Sequence, residues 1–435
     1  MSLIYFDGMD QYVPVAAPSA GTPCTAAVLP SANLTTVPTD PSPFSVDAAA
    51  TMFCRNFNDD RVWRVPRPVS INAAAGTYAY GLSAYGNTYN SLATGGVTLD
   101  LLQTVGATQS FTIGFKMKYA SSAAFPMLLG AFAADTFTNF AGSFAIIMTS
   151  DNKVYIRKPE VASFGGGIYA SGIFPTNTFV DTTDGFIGVS NFVVGTATAT
   201  ATNPTIDKLS SNTVEIQYTA LGKISVWINN QFVGTATFST PATYTNVRYA
   251  KINCLTQANF GNGSTQYFFA GIADLYMLNG LGTKNTSRLG KVKVVSRLPQ
   301  TDSSVTFTRP DTSNTNASVV SQSPVQVSPA LIGTKTGDVD LYGSSAFNFG
   351  NEAIIATAIT TVGYKTDPSG NDIAPVLNVS GTNYVGTNNT LPVSTTLMKS
   401  DQYIYETNPN TGLPFTKSEL DATTFGVTVV APSAS

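Results

Sequence analysis

The sequence predicts a mainly β protein built around an antiparallel sandwich. Short apolar runs broken by Gly, Asn and Asp recur through residues 76–295, with no helical stretches between them. Charged residues make up only 11% of the 435 residues, against an ordinary apolar share of 43%. This low charge disfavours long helices, and together with 26 Phe and 19 Tyr it excludes a solvated, disordered chain.

The strand signals are runs in which apolar and polar residues alternate with a period of two. The clearest runs are residues 111–119, 143–148, 154–156, 186–189, 213–218 and 224–228. Asn229-Asn230 separates the last run from residues 231–234, and asparagine tolerates the positive φ of a tight hairpin turn. Strands at this spacing are typical of antiparallel sheets packed face to face.

Composition shifts divide the chain into three parts. Residues 1–75 are predicted to form an extended N-terminal arm with a first strand, because seven prolines lie between residues 14 and 43. Its low charge favours an arm that lies along its own domain or a neighbouring subunit. Residues 76–300 form the predicted sandwich, and residues 301–435 a smaller β-rich C-terminal domain. One short helix is predicted near residues 415–422, where Thr416 and Glu419 have the spacing of a capping box.

Missing residue types exclude several kinds of chemistry. The chain has no histidine, which excludes Ser-His-Asp and Cys-His nucleophiles and His-ligated metal sites. The three cysteines, Cys24, Cys54 and Cys254, are too few and too widely spaced for a disulfide framework or a CxxC site. Small buried thiols are the favoured interpretation, with a Cys24–Cys54 bridge as the alternative.

Each candidate site has a structural interpretation that is favoured over the functional one. Glu215 stands without a second carboxylate two residues away, so the pair that glycan hydrolysis needs is absent. Asp181 and Asp184 have a spacing that could hold calcium, but a solvated turn is favoured. The glycine runs at 165–167 and 261–265 lack phosphate-loop spacing. No catalytic, cofactor-binding or metal-binding residue is therefore assigned, and no cofactor is expected.

Four tyrosines crowd one glycine-rich stretch. Tyr78, Tyr80, Tyr85 and Tyr89 are mostly an even number of residues apart, so several could share one strand face. Tyrosine suits protein interfaces, and subunit contact is favoured over ordinary folding and over glycan contact.

An ordered series of short motifs resembles the laminin-G/concanavalin-A-like proteins of tailed bacteriophages. In the first part of the chain the motifs are residues 3–8, 111–119, 223–234, 272–280 and 289–294. In the last part they are residues 337–342, 363–368, 406–412, 415–421 and 425–430. The family usually carries two acids before Leu-Tyr, and here Ala273 replaces the first, which leaves Asp274 alone. The resemblance implies a concanavalin-A-like (laminin-G-like) jelly roll and a role as a virion structural protein.

The expected function is that of a non-enzymatic structural component of a tailed phage particle, in the tail, adsorption apparatus or a fibre. Capsid decoration or a head fibre, and a glycan-binding lectin for host recognition, are the alternatives. The expected partners are other copies of the chain and other virion proteins, with a host surface glycan as an alternative partner. A net charge of −3 gives no excess of basic residues that would predict nucleic-acid binding, and no segment predicts export or membrane insertion. The expected location is the virion, after synthesis in the host cytoplasm.

Overall fold

The computed structural model describes a large part of the chain in separate ranges. These are residues 2–7, 44–46, 52–55, 61–65, 71–72, 77–78, 97–105, 110–119, 127–132, 144–148, 153–157, 180–181, 186–191, 193–194, 205–206, 212–219, 223–237, 247–254, 270–309, 313–321, 330–347, 349–350, 352–393 and 399–432.

The described residues form 27 strands and two short helices. The strands up to residue 278 are β1 (Leu3–Asp7), β2 (Phe44–Val46), β3 (Met52–Arg55), β4 (Arg61–Val65), β5 (Ile71–Asn72), β6 (Thr77–Tyr78), β7 (Val97–Val105), β8 (Phe111–Tyr119), β9 (Met127–Phe132), β10 (Phe144–Met148), β11 (Lys153–Arg157), β12 (Val180–Asp181), β13 (Phe186–Asn191), β14 (Val193–Val194), β15 (Thr205–Ile206), β16 (Asn212–Thr219), β17 (Lys223–Ile228), β18 (Gln231–Thr237), β19 (Val247–Cys254) and β20 (Ala270–Leu278). The later elements are β21 (Thr301–Ser304), α1 (Asn316–Val320), β22 (Val339–Gly343), β23 (Thr357–Gly363), β24 (Asp372–Val379), β25 (Thr382–Val385), β26 (Lys399–Tyr405), α2 (Lys417–Ala422) and β27 (Thr424–Val430).

Two eight-stranded antiparallel sheets make up the first part of the fold. The first sheet has the order β18-β17-β16-β8-β20-β4-β3, with β1 also paired to β20, and the second has the order β12-β13-β11-β10-β9-β19-β7-β2. The sheets touch where β13 meets β18 and where β19 meets β4. Strands make up most of the described residues and both large sheets are antiparallel, which confirms the predicted mainly β, antiparallel fold.

The centre of the first sheet follows the alternation that predicted it. β8 pairs with β16 so that Phe111 lies opposite Tyr218, and their rings stack with centroids 5.4 Å apart. Ile113 and Phe115 continue this fully apolar face opposite Ile216 and Val214, and all of these side chains are buried. Burial of such side chains contributes about 1.5–3 kcal/mol each, so this face is a main source of the sheet's stability.

Part of the segment assigned to the N-terminal arm belongs to the sheets. β3 pairs with β4, β4 pairs with β20 of the first sheet, and β2 pairs with β7 of the second sheet. The physical reason is that β3 and β4 are rich in the apolar, aromatic and β-branched residues that favour strands, among them Phe53, Val62 and Trp63. The proline-rich residues 11–43 lie outside the described residues.

The C-terminal part contains a five-stranded sheet, ordered β21-β22-β27-β24-β25, and a two-stranded ribbon of β23 and β26. The ribbon packs on the sheet through a cluster of Ile359, Leu377, Val379, Tyr405, Phe415 and Leu420. The predicted capping box is present at α2, where Thr416 and Glu419 each accept the other's backbone N–H. The sequence had not predicted α1, whose cap is Thr315. Neither helix in the described ranges is long and apolar enough to cross a membrane.

Strand β1 joins the first sheet to the ribbon. Leu3 packs with Tyr276, Leu278 and Ile404 in one buried cluster. Glu406 accepts the backbone N–H of Ser2 and of Leu3 at 3.1–3.2 Å. This strand therefore pairs with β20 along one edge and is held by side chains of the C-terminal ribbon.

Candidate functional site

A single row of residues crosses the first sheet on the face opposite its apolar core. Strand register places in this row, from the β18 edge inward, Phe232, Trp227, Glu215, Gly114, Tyr276 and Phe6. We call these six residues the outer row. Because side chains on adjacent paired positions contact each other, the row determines what this face can bind.

A buried carboxylate lies in the middle of the outer row. Glu215 is fully buried, and its Oε1 accepts the Gly290 N–H at 2.8 Å and the Tyr276 hydroxyl. Arg288 donates to Oε2 and forms an ion pair with it. The Tyr276 hydroxyl in turn accepts the N–H of Leu289 at 3.2 Å. We call Glu215, Tyr276, Arg288, Leu289 and Gly290 the Glu215 cluster. Its hydrogen bonds hold the segment that follows β20 against the sheet.

Gly114 makes this arrangement possible. A Cβ at position 114 would overlap the Tyr276 ring, which lies across β8 to reach Glu215. Burial, the hydrogen bond to Glu215 and the negative charge of Glu215 raise the pKa of Tyr276 far above its ordinary value. Tyr276 therefore stays protonated at neutral pH and acts as a hydrogen-bond donor, and it is not suited to proton abstraction.

The exposed end of the outer row is an aromatic and polar surface. The Trp227 and Phe232 rings are tilted against each other with centroids 5.5 Å apart, and Phe232 is 54% exposed. The Arg288 guanidinium lies 4.3 Å from the Trp227 ring centroid and donates to Asn230 Oδ1 at 3.2 Å. We call Trp227, Asn230, Phe232 and Arg288 the hairpin surface.

The turn that carries this surface is fixed by its own side chains. Asn229 and Asn230 have φ values of 51° and 65°, as the predicted Asn-Asn hairpin requires. Asn229 Oδ1 accepts the Thr213 N–H at 3.0 Å, and Asn229 Nδ2 donates to Asn212 Oδ1 at 2.9 Å. The hairpin surface is therefore presented by an ordered turn.

Two further buried carboxylates lie in the C-terminal sheet. Asp340 Oδ1 accepts the backbone N–H groups of Thr306 and Phe307 at 2.7 and 2.8 Å. Its Oδ2 accepts from Asn316 Nδ2 at 2.6 Å and from the Tyr342 hydroxyl at 2.9 Å. Burial and the negative charge of Asp340 raise the pKa of Tyr342 well above its ordinary value.

The other buried carboxylate belongs to a nearly buried ion pair. Asp372 Oδ1 lies 2.9 Å from Lys365 Nζ and accepts the Leu391 N–H at 3.0 Å. Lys365 Nζ also donates to the Gly370 carbonyl at 3.3 Å. The three carboxylates of Glu215, Asp340 and Asp372 thus all connect neighbouring chain segments.

The remaining sequence candidates are only partly described. Asp274 lies at an irregularity of β20 with φ 49°, and its Oδ1 accepts the Val294 N–H at 2.9 Å, so it holds the chain that leaves the sheet. The candidates that fall in strands without described side chains are Cys54 in β3, Tyr78 in β6, Asp181 in β12 and Cys254 in β19. Those outside the described residues are Cys24, Tyr80, Tyr85, Tyr89, Asp184 and the glycine runs at 165–167 and 261–265.

Among the described residues, no three His, Cys, Asp or Glu side chains lie close enough together to hold a metal ion. The Arg288 and Gly290 partners of Glu215 were missed by sequence reasoning. The signal that could have indicated a close approach is Gly114, a glycine in the middle of a strong strand pattern.

Comparisons with known proteins give similarities of shape alone. No protein-family model matches the chain, and no curated protein matches it. Among solved structures, the binding domain of Paraclostridial Mosquitocidal Protein 1 is similar over 54% of this chain with 10% identity and a TM-score of 0.29, and this match spans 43% of that chain. Family 7 alginate lyase A1-II′ is similar over 52% of this chain and 81% of its own, with 13% identity and a TM-score of 0.31.

The carbohydrate recognition domain of Emp46p is similar over 54% of this chain and 88% of its own, with 7% identity and a TM-score of 0.29. The strand order by itself defines a mainly β protein with two large antiparallel sheets. Similarities of this size say nothing about the ligand or activity of this chain.

Proposed function

We propose that this chain is a structural component of a tailed phage particle, in its tail, adsorption apparatus or a fibre, and that it acts through protein–protein contacts. The observation that carries the proposal is the use of the buried carboxylates. Glu215, Asp340 and Asp372 each accept backbone N–H groups from a neighbouring segment. Such carboxylates hold a fold together, whereas the acid and base of a hydrolase must reach the substrate.

The motif series that resembles phage laminin-G/concanavalin-A-like proteins supports the virion part of the proposal. The low charge of the chain supports the assembly part, because many copies can pack with little mutual repulsion. Closed symmetric homo-oligomers are the common outcome for such subunits. Homo-oligomerisation is therefore part of the proposal.

Exposed apolar side chains on ordered turns support contact with other proteins. Leu413 is 65% exposed, and the loop that carries it is closed by bonds from Asn408 N to the Leu413 carbonyl at 2.8 Å and from Gly412 N to the Asn408 carbonyl at 2.7 Å. Asn408 Oδ1 also accepts the Asn410 N–H at 2.9 Å. A loop that is already ordered loses less conformational entropy when a partner binds.

The test is the composition of intact particles of the virus whose genome encodes this chain. We expect the chain in gradient-purified particles at a fixed ratio to the other virion proteins, measured by quantitative mass spectrometry. An image reconstruction of the particle then distinguishes a tail or fibre position from capsid decoration or a head fibre. Absence of the chain from purified particles would refute the proposal.

The role of the proline-rich segment in association is tested separately. Deleting residues 1–70 would remove β1, β3 and β4 from the first sheet, so the better variant replaces residues 11–43 with a Gly/Ser sequence of equal length. We expect weaker self-association of this variant in size-exclusion chromatography with light scattering. Unchanged association would show that the segment does not join subunits.

A further inference from the structure

The segment that crosses from β20 to β21 concentrates positive charge. Residues 281–300 contain no acidic residue and five basic ones, which are Lys284, Arg288, Lys291, Lys293 and Arg297. Since the whole chain has a net charge of −3, the other residues together carry −8. This segment is therefore a local cationic region on an acidic protein.

Three of these cations, Lys284, Lys291 and Lys293, remain available for a ligand, and the last two lie closest along the chain to the hairpin surface. Arg288 is bound to Glu215 and Asn230, and Arg297 lies 5.3 Å from the Phe347 ring centroid. Lys291 and Lys293 are exposed and form no ion pair with any residue of the described ranges. Exposure alternates along residues 291–294, where Lys291 and Lys293 are exposed and Val292 and Val294 are half-buried.

The segment that carries Lys291 and Lys293 begins beside the hairpin surface. Gly290 donates its N–H to Glu215, and a Cβ at Gly290 would lie 3.8 Å from Asn230 Oδ1. Lys291 directly follows Gly290, so the Glu215 cluster fixes the lysine backbone next to the exposed turn. Phe232 and Gln231 are exposed on that turn.

We propose that the hairpin surface, extended by Lys291 and Lys293, binds an acidic polysaccharide. The apolar face of a sugar ring would stack on the exposed Phe232 ring, which is tilted against the neighbouring Trp227 ring. Amide groups at the turn would bind hydroxyl groups, and the two lysines would pair with carboxylate groups of the sugar. Aromatic, amide and cationic groups thus follow one another from the turn along the segment that Glu215 holds, and the proposal does not depend on where the chain lies in a particle.

The same surface suits other polyanions less well. Lysine is depleted at protein–protein interfaces, whereas Lys291 and Lys293 are the free cations of this site. A nucleic acid presents one phosphate at every nucleotide, and a few lysines beside one exposed ring offer little of the extended phosphate contact from which such binding takes most of its affinity. A flexible carboxylated glycan needs only a few cations beside an aromatic ring.

The experiment measures binding of four probes to the full chain by biolayer interferometry. The probes are oligogalacturonate as the acidic sugar, dextran as the uncharged sugar, polyglutamate as the non-sugar polyanion, and oligothymidylate as the nucleic acid. We expect oligogalacturonate to bind best and its affinity to fall when salt is added, because exposed charges are screened. Equal or tighter binding of polyglutamate or oligothymidylate would overturn the proposal, as would no binding of oligogalacturonate.

Variants test the two kinds of contact independently. Lys291→Ala with Lys293→Ala should weaken oligogalacturonate binding about tenfold, and Phe232→Ala about fivefold. Lys335→Ala is the matched control, because it removes an exposed lysine from the C-terminal part of the chain. Circular dichroism checks that each variant is folded. An effect of Lys335→Ala equal to that of the double variant, or an unchanged affinity in Phe232→Ala, would overturn the assignment of this surface.

Discussion

Replacing Glu215 with glutamine removes one charge from the Glu215 cluster and keeps the size of the side chain. The Gly290 N–H and the Tyr276 hydroxyl then share one neutral acceptor, and the amide group faces the Arg288 guanidinium. Two donors placed against each other repel, so Arg288 has to leave its position over Trp227.

The expected cost follows from the burial of the pair. Removing one partner of a buried ion pair costs about 3–5 kcal/mol. Because 22% of the Arg288 side chain is exposed, the guanidinium regains some hydration. The expected loss in the free energy of unfolding is therefore about 2–3 kcal/mol.

Urea denaturation followed by circular dichroism measures this loss, and hydrogen exchange locates it. We expect a lower urea midpoint and faster exchange of the Gly290 and Leu289 amides. Glu352→Gln is the matched control, because Glu352 is exposed and its change removes the same charge. Adding Arg288→Met to Glu215→Gln should recover part of the stability, since the unpaired cation is removed.

A Glu215→Gln variant with the urea midpoint of Glu352→Gln would refute this reasoning. It would mean that the ion pair and its hydrogen bonds contribute nothing net to stability. Unchanged exchange at Gly290 would show in addition that Glu215 does not hold the basic segment.

Three other changes test the structure at separate places. Thr416→Ala removes the N-cap of α2 and should lower the free energy of unfolding by about 1 kcal/mol, measured in a thermal melt. The backbone N–H of Thr416 lowers the pKa of Glu419, so the stability that Glu419 contributes is present above its ordinary pKa and is lost on acidification. A pH series of the melt checks this loss. Burial raises the pKa of Tyr276 and Tyr342 above the ordinary 10.0, so the unfolded chain loses protons first and stability should fall as the pH rises above about 10; an absorbance titration in which both phenols ionise before unfolding would contradict this. Asp340→Asn places an amide against two side-chain donors and should destabilise the C-terminal sheet by about 2 kcal/mol in urea, whereas an unchanged midpoint would show that the Asp340 contacts are not needed.

Local sequence patterns were sufficient for the strands and turns near the site. The alternation in residues 111–119 predicted β8 at Phe111–Tyr119, and Asn229-Asn230 predicted the turn that the φ values confirm. Both predictions depend on neighbours within a few residues, where the chirality and hydrogen bonding of the backbone decide the structure.

The partners of Glu215 could not be predicted in the same way. Arg288 and Gly290 follow Glu215 by 73 and 75 residues, and no local rule places them on its strand. The sequence showed Glu215 as an acid without a second carboxylate nearby, and no local pattern indicated its structural role. Only the sheet register, with Gly114 between Glu215 and Tyr276, explains why a carboxylate can be buried there.

The strand at Leu3–Asp7 has a consequence for the order of events during synthesis. Glu406, which accepts its N–H groups, lies 403–404 residues away along the chain. About 400 further residues must therefore be synthesised before Glu406 can bind this strand, and contacts of such long sequence separation form slowly. Until then, β1 is held to the nascent sheet by its pairing with β20 alone, so the newly made protein passes through a period in which chaperones or premature aggregation compete for this strand.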